Sequence, residues 1–168
     1  MSDELVVRAK KLTAHSFSRF GQVVDVPKAP PLVERETVKY WGTLATFMIE
    51  GETEVGICVV KKDSDTFETM ERHVQTPELL TLIKGDFVIP VAAPGNLEDP
   101  QETPSVKDVE AFYVHEEQAI MMDKGVWHWA PLPVGEEASF FVIFKKETAK
   151  RDMTIRKFKD GKRISLRW

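Results

Sequence analysis

Short apolar runs, broken again and again by glycine, proline and charged turns, recur from Val38 to Trp168. This punctuation constrains the fold more than any other feature. Strands are expected at residues 38–49, 54–61, 66–74, 78–92, 109–115, 119–122, 126–130 and 139–145. Residues 153–168 read as a C-terminal β-hairpin around Asp160-Gly161. Only residues 13–20 carry a helical signal, with Thr13 as N-cap and Gly21 as stop. Many short strands with such breaks predict an all-β sandwich or barrel with a short N-terminal helix. The polar, proline-bearing stretch 94–107 lacks periodicity and reads as a surface loop. A chain of 168 residues suits one domain over 1–168. A domain of this size buries about 70% of its unfolded surface, so folding needs no disulfide or structural metal.

The formal net charge of −4 argues against nucleic acid as a partner. The basic residues near the C-terminus, among them Lys157, Lys159 and Lys162, read as a solvated face or a guarded strand edge. No apolar run reaches the ~18 residues needed for a bilayer span, so no membrane role is expected. Cys58 is the sole cysteine and reads as a small buried hydrophobe. A lone cysteine and an acidic start, Met1-Ser2-Asp3-Glu4, predict a reducing, cytoplasmic setting.

Charged groups gather at two places. Glu71-Arg72-His73 is followed by Glu78 and by Lys84-Gly85, and Asp123-Lys124-Gly125-Val126-Trp127-His128 comes later. Residues two apart on a strand share a face, so Glu71 and His73 point one way and Arg72 the other. Thr76-Pro77 can turn the chain and bring Glu78 beside His73, and a barrel can bring His128 to them. Two imidazoles and two carboxylates suit manganese, iron, nickel or zinc, and without metal they can serve as general acid and base. Trp127 and Trp129 lie opposite His128 and are expected in the core or an interface, as is the run 140–144. His15 and His115 are expected at the surface, and Met121 and Met122 in the core.

These residues resemble the two cupin motifs. His73, Glu78 and Gly85 fall on the second His, the Glu and the closing Gly of the first motif. Gly125 and His128 fall on the second motif, whose proline is Asp123 here. Glu71 stands where the first motif has a histidine. Glu71-Arg72-His73, Lys84-Gly85 and Val126-Trp127-His128, with Phe17-Ser18-Arg19-Phe20-Gly21 near the start, resemble the ureidoglycolate lyase family. That resemblance implies a cupin-type double-stranded β-helix, a jelly-roll barrel, and a homodimer. It also implies cleavage of ureidoglycolate to glyoxylate and urea, a step of purine and allantoin breakdown, with nickel as the associated divalent metal. The substrate is then a small-molecule carboxylate.

His73, Glu78, His128 and Glu71 are assigned to the metal. If Glu71 stays unbound it is the base, and Lys84 pairs with the substrate carboxylate or donates a proton to urea. Substrate-contacting polar groups are expected between Pro27 and Lys39. A cupin isomerase or decarboxylase acting on a small hydroxy or oxo acid, or a non-catalytic small-acid binder, is the alternative.

Overall fold

The computed structural model describes residues 4–168. Strand β1 (Glu4–Lys11) leads into helix α1 (Ala14–Phe17). Thr13 caps α1: its hydroxyl accepts from the Ser16 amide, and the Ser16 hydroxyl accepts from the Thr13 amide. The strands β2 (Gly21–Val24), β3 (Val33–Arg35), β4 (Val38–Tyr40) and β5 (Thr53–Lys61) follow. Next come β6 (Thr66–Phe67), β7 (Thr69–Arg72), β8 (Glu78–Lys84) and β9 (Phe87–Ala92). A 3-10 turn (Val106–Asp108) precedes β10 (Val109–Val114), β11 (Ala119–Met122), β12 (Trp127–His128) and β13 (Leu132–Pro133). The chain closes with β14 (Glu137–Lys145), α2 (Thr148–Arg151), β15 (Thr154–Lys157) and β16 (Arg163–Arg167).

Two curled sheets share one core. The larger runs β15-β7-β12-β9-β10-β1-β16-β6, with β13 also on β9; the smaller runs β2-β11-β8-β14-β5. Leu80, Ile120, Met122 and Phe140 of the smaller sheet meet Phe87, Ile89, Val91 and Phe112 of the larger. Alternate residues of the larger sheet, including Met70, Val88, Ala111 and Trp127, pack the other way with Phe158, Ile164 and Leu166. The central β9 is therefore buried throughout. This is the all-β barrel of two curled sheets, with a short N-terminal helix, that the strand pattern predicts.

Several expectations are corrected. The strand expected at 38–49 ends at Tyr40, where β4 pairs, among the described residues, only with β3 as a small hairpin. Thr43 has a left-handed backbone (φ 58°), and the Trp41 indole N–H donates to the Ala29 carbonyl, so the chain turns instead of extending. The C-terminal segment is not a hairpin of two mutually paired strands. β15 pairs with β7, while β16 pairs with β1 in parallel and with β6. The Asp160-Gly161 turn is present, but it separates two strands that find distant partners. Helix α1 stops at Phe17, three residues early, because Gly21 already enters β2. In the run 140–144 Phe140 faces the core, while Phe141 is exposed. β1 and α2 carry no expectation from the sequence.

Gly85 separates β8 from β9 with φ +74°, and a Cβ there would sit 2.7 Å from the Glu137 carbonyl oxygen. The Gly85→Ala variant should lose about 1–3 kcal/mol, since it strains the backbone and forces the neighbouring strand aside. A thermal melt checks this: at about 2–4 °C per kcal/mol for a chain of this size, a fall of several degrees is expected.

Candidate metal and catalytic centre

Glu71 ends β7 beside Arg72, and His73 follows at once. Glu78 opens β8, and His128 lies on β12, which pairs with β7 so that His128 stands directly opposite Glu71. The turn between β7 and β8 is held from outside. The Asp152 carboxylate accepts from the Val74 and Gln75 amides at 3.0 and 2.8 Å. The Gly125 amide donates to the His73 carbonyl at 2.6 Å, tying this turn to the segment that carries His128.

Four side chains then converge. Glu78 Oε2 is 3.5 Å from His73 Nε2 and 3.2 Å from His128 Nε2, and Glu71 Oε1 is 3.4 Å from His128 Nε2. The imidazole centroids are 5.2 Å apart. Ligand atoms of Glu71, His73 and His128 all lie within 4.8 Å of one another. His73, His128 and Glu78 are buried, and Glu71 is more open.

Both imidazoles are oriented from behind. His73 Nδ1 contacts the Asp152 carbonyl at 2.5 Å, and His128 Nδ1 contacts the Val126 carbonyl at 3.0 Å. A carbonyl only accepts, so each Nδ1 carries the hydrogen and each Nε2 turns into the site. Carbonyl support of this kind fixes the tautomer of metal-binding histidines. His128 Nε2 and Glu78 Oε2 are buried without a hydrogen bond, because their 3.2 Å contact is not aligned as one. Two orphaned buried polar atoms facing each other, with imidazole and carboxylate donors around them, fit a divalent cation.

The electrostatics agree. Burial alone would lower the His128 imidazole, but Glu78 and Glu71 push it up to about 10. Burial would raise the Glu78 carboxyl, but the positive charge of His128, and then of His73, holds it below the ordinary carboxylate value. The pair thus demands a positive charge between the two carboxylates, whether from a proton on His128 or from a metal.

The four residues sit at the polar end of a cavity of about 270 Å³, whose apolar walls include Leu80, Phe140, Val142, Phe144 and Met153. Phe144 meets the His73 ring edge-on, with centroids 5.9 Å apart. Among the described residues, no lysine or arginine lines it. A larger cleft of about 590 Å³ lies beyond Ala130 and Pro131 and holds none of the four residues. The chemistry therefore belongs to the smaller cavity.

Lys84 is not brought to this group. It shares strand parity with Glu78, but six residues along β8 place it about 20 Å away, exposed, at the other end of the strand. The expectation that Lys84 meets the substrate is corrected on that ground. Residues 27–39 do not line the cavity either; they form the outlying β3–β4 hairpin and its approach. Cys58 faces the cavity and is only partly buried. Burial, then Glu78 and Glu71, raise its thiol, which makes it a poor nucleophile. Trp127 is buried opposite His128, and His115 lies at the surface beside Asp86, as expected.

Asp152 is the residue that sequence reasoning missed. It stands just after α2, and no motif marks it. Its carboxylate shapes the turn and its carbonyl aims His73. An Asp152→Ala variant should weaken divalent-metal affinity about 10–100-fold, the usual cost of losing an outer partner of a ligand, as read by metal titration.

A family model described as ureidoglycolate lyase matches residues 4–165 of the chain. No curated protein matches the sequence. Among solved structures, the chain is similar to an oxalate decarboxylase formate complex from Lactobacillus farciminis, at 13% identity and TM-score 0.41. That match covers 62% of this chain and 26% of that one. It is similar to RmlC from Streptococcus suis in complex with dTDP-D-xylose, at 11% identity and TM-score 0.40, covering 58% and 45%. It is also similar to NovW, a 4-keto-6-deoxy sugar epimerase from Streptomyces spheroides, at 10% identity and TM-score 0.43, covering 60% and 49%. The chain thus spans less than half the length of each of these structures, and likenesses this distant carry no functional argument.

Proposed function

The chain belongs to the ureidoglycolate lyase family, and from that membership we propose that it cleaves ureidoglycolate to glyoxylate and urea. The observation that carries this reading is the convergence of Glu71, His73, Glu78 and His128 in one small cavity. Ureidoglycolate has one carbon bearing a hydroxyl, a carboxylate and a urea nitrogen. In the cleavage the hydroxyl proton leaves, its oxygen forms a carbonyl, and the carbon–nitrogen bond breaks with its electron pair going to nitrogen. The nitrogen must then take up a proton.

His73 and His128 would hold a divalent cation through Nε2, with Glu78 as the buried carboxylate ligand. Nickel is the ion that the resemblance implies; manganese, iron and zinc suit the same donors. When bound, such a cation supplies the positive charge that a carboxylate substrate needs and acidifies a nearby hydroxyl. A cavity with carboxylates and no lysine or arginine would otherwise repel an anionic substrate. Glu71, the carboxylate more open to the cavity, takes the hydroxyl proton and returns it to the departing nitrogen. The apolar walls exclude water from the reacting carbon. We also propose that the protein works in the cytoplasm and as a homodimer.

Incubation of the purified protein with racemic ureidoglycolate, with glyoxylate followed against time, tests the reading. Turnover above the spontaneous rate is expected, lost on chelation and restored by one or more of nickel, manganese, iron and zinc. No glyoxylate above background with any of these metals overturns it. Metal loading should also raise the melting temperature. A ligand at about 100 times its dissociation constant stabilises by about 2.7 kcal/mol, and a chelated sample should melt several degrees lower.

A further inference from the structure

We propose that Gly56 and Glu54 form the subsite for the tail of the substrate, a short, planar, uncharged group with N–H donors, of which the ureido group is one. This rests on the lyase reading and assigns residues to the end of the substrate away from the four converging side chains. Glu54, Gly56 and Cys58 share one face of β5, and all three line the catalytic cavity. Gly56 stands inside the nine-residue strand, between Val55 and Ile57. Its backbone lies outside the left-handed region and accepts any residue. A Cβ there would meet nothing nearer than the Val142 carbonyl oxygen, at 4.0 Å. Glycine inside a strand weakens it and adds nothing to packing, and it often marks the close approach of a ligand. Neither backbone nor packing accounts for Gly56; the space left open above it does.

The register shows what surrounds that space. Val142 stands opposite Gly56 on one side and Leu80 on the other, and the three make one row of the cavity wall. Leu80 lies two residues after Glu78 on the same face of β8, so the row adjoins the metal-binding group. In the next row Glu54 stands opposite Phe144, whose ring meets His73. Side chains rise from all of these positions except Gly56. Rows on one face are about 6.7 Å apart, so the gap is narrow, and a flat group lying on the bare Gly56 backbone fits it. Glu54 sets the chemistry of that group. Its Oε2 accepts from the Glu147 amide at 3.0 Å. An ionised carboxylate has about four acceptor sites, so others remain for the N–H donors of a ligand. Among the described residues, no lysine or arginine lines the cavity to neutralise it. A hydroxy acid with a ureido tail and a hydroxy diacid have nearly the same shape, and Glu54 separates them by accepting from the first and repelling the second.

Hydantoate (N-carbamoylglycine) carries the carboxylate and the ureido tail but no hydroxyl, so it binds without being cleaved. Glycolate lacks the tail, and succinate has an acid group in its place. Calorimetric titration of the nickel-loaded protein should find glycolate and succinate at least about 10-fold weaker than hydantoate. Gly56→Val fills the gap with a residue that strands favour, so the variant should melt no lower than wild type. It should weaken hydantoate by about 30-fold or more and leave glycolate and nickel affinities within about twofold. Glu54→Gln keeps an oxygen for the Glu147 amide, so it should fold, and it should narrow the hydantoate-to-succinate ratio about 10-fold. A merely structural role for either residue would move all three ligands together. Wild type that binds hydantoate no more tightly than glycolate, or variants that leave these ratios unchanged, overturn the subsite. Absence of glyoxylate production in a protein whose hydantoate binding responds as described removes the lyase reading and leaves the subsite standing.

Discussion

His128→Ala is expected to reduce ureidoglycolate cleavage to the spontaneous rate, a loss of at least ~1,000-fold in kcat/KM, or more than about 4 kcal/mol of transition-state stabilisation. The imidazole lies between Glu78 and Glu71 and is 4% exposed. Without it the site loses a ligand nitrogen, and two carboxylates face each other with nothing positive between them. Initial rates with added metal measure the loss, and metal content on the same sample separates lost binding from lost chemistry. His115→Ala, at a surface histidine beside Asp86, should leave turnover unchanged. Full activity in His128→Ala would remove this residue from the site.

The same substitution carries a pH signature in metal-free protein. The His128 imidazole rises from 6.5 unfolded to about 10 folded, driven by Glu78 and Glu71 against the opposing effect of burial. A raised value means that its proton stabilises the fold fully below 6.5 and that this stability is lost as pH climbs towards 10. Metal-free wild type should therefore become easier to unfold by denaturant across that window, and His128→Ala should show a flatter profile.

Arg72→Ala should destabilise the protein by about 3 kcal/mol, near the low end for removing one partner of a buried ion pair, since Glu102 keeps some contact with water. Arg72 is 1% exposed. Its guanidinium pairs with Glu102, donates to the Asn96 and Asp99 carbonyls, and lies 4.7 Å from the Trp127 ring centroid. It thereby pins the 94–107 loop against the two strands that carry Glu71 and His128. At about 2–4 °C per kcal/mol, the melt should fall by roughly 6–12 °C. Arg72→Lys keeps the charge but lacks the planar fork and should recover only part of the loss. Hydrogen exchange should then speed up at residues 96–102 before it does in β9. Unchanged exchange there would show that the loop is held by something else.

The parts of the site legible in sequence were those governed by local periodicity. Strand parity put Glu71 and His73 on one face and Arg72 on the other, and the Thr76-Pro77 turn returned Glu78 to His73. His128 was legible only through motif resemblance, because no local rule places a residue some fifty positions away. Lys84 shows the limit of parity, which gives the face of a strand but not the position along the barrel axis. Asp152 shows another limit. Its bonds to Val74 and Gln75 join segments 78 and 77 residues apart, and a lone aspartate after a short helix carries no sign of them. The C-terminal strands misled for the same reason. A good turn at Asp160-Gly161 predicts a hairpin, but the flanking strands found better partners in β7 and β1.

The carbonyl that aims His73 belongs to Asp152, 79 residues downstream. During synthesis the ribosome must therefore deliver Asp152 before that imidazole can be fixed. β1 stays without its parallel neighbour β16 until residues 163–167 emerge. A chain elongating at about 5–20 residues per second would spend about 8–30 seconds with that edge of β1 open, so chaperone protection would matter most in that interval.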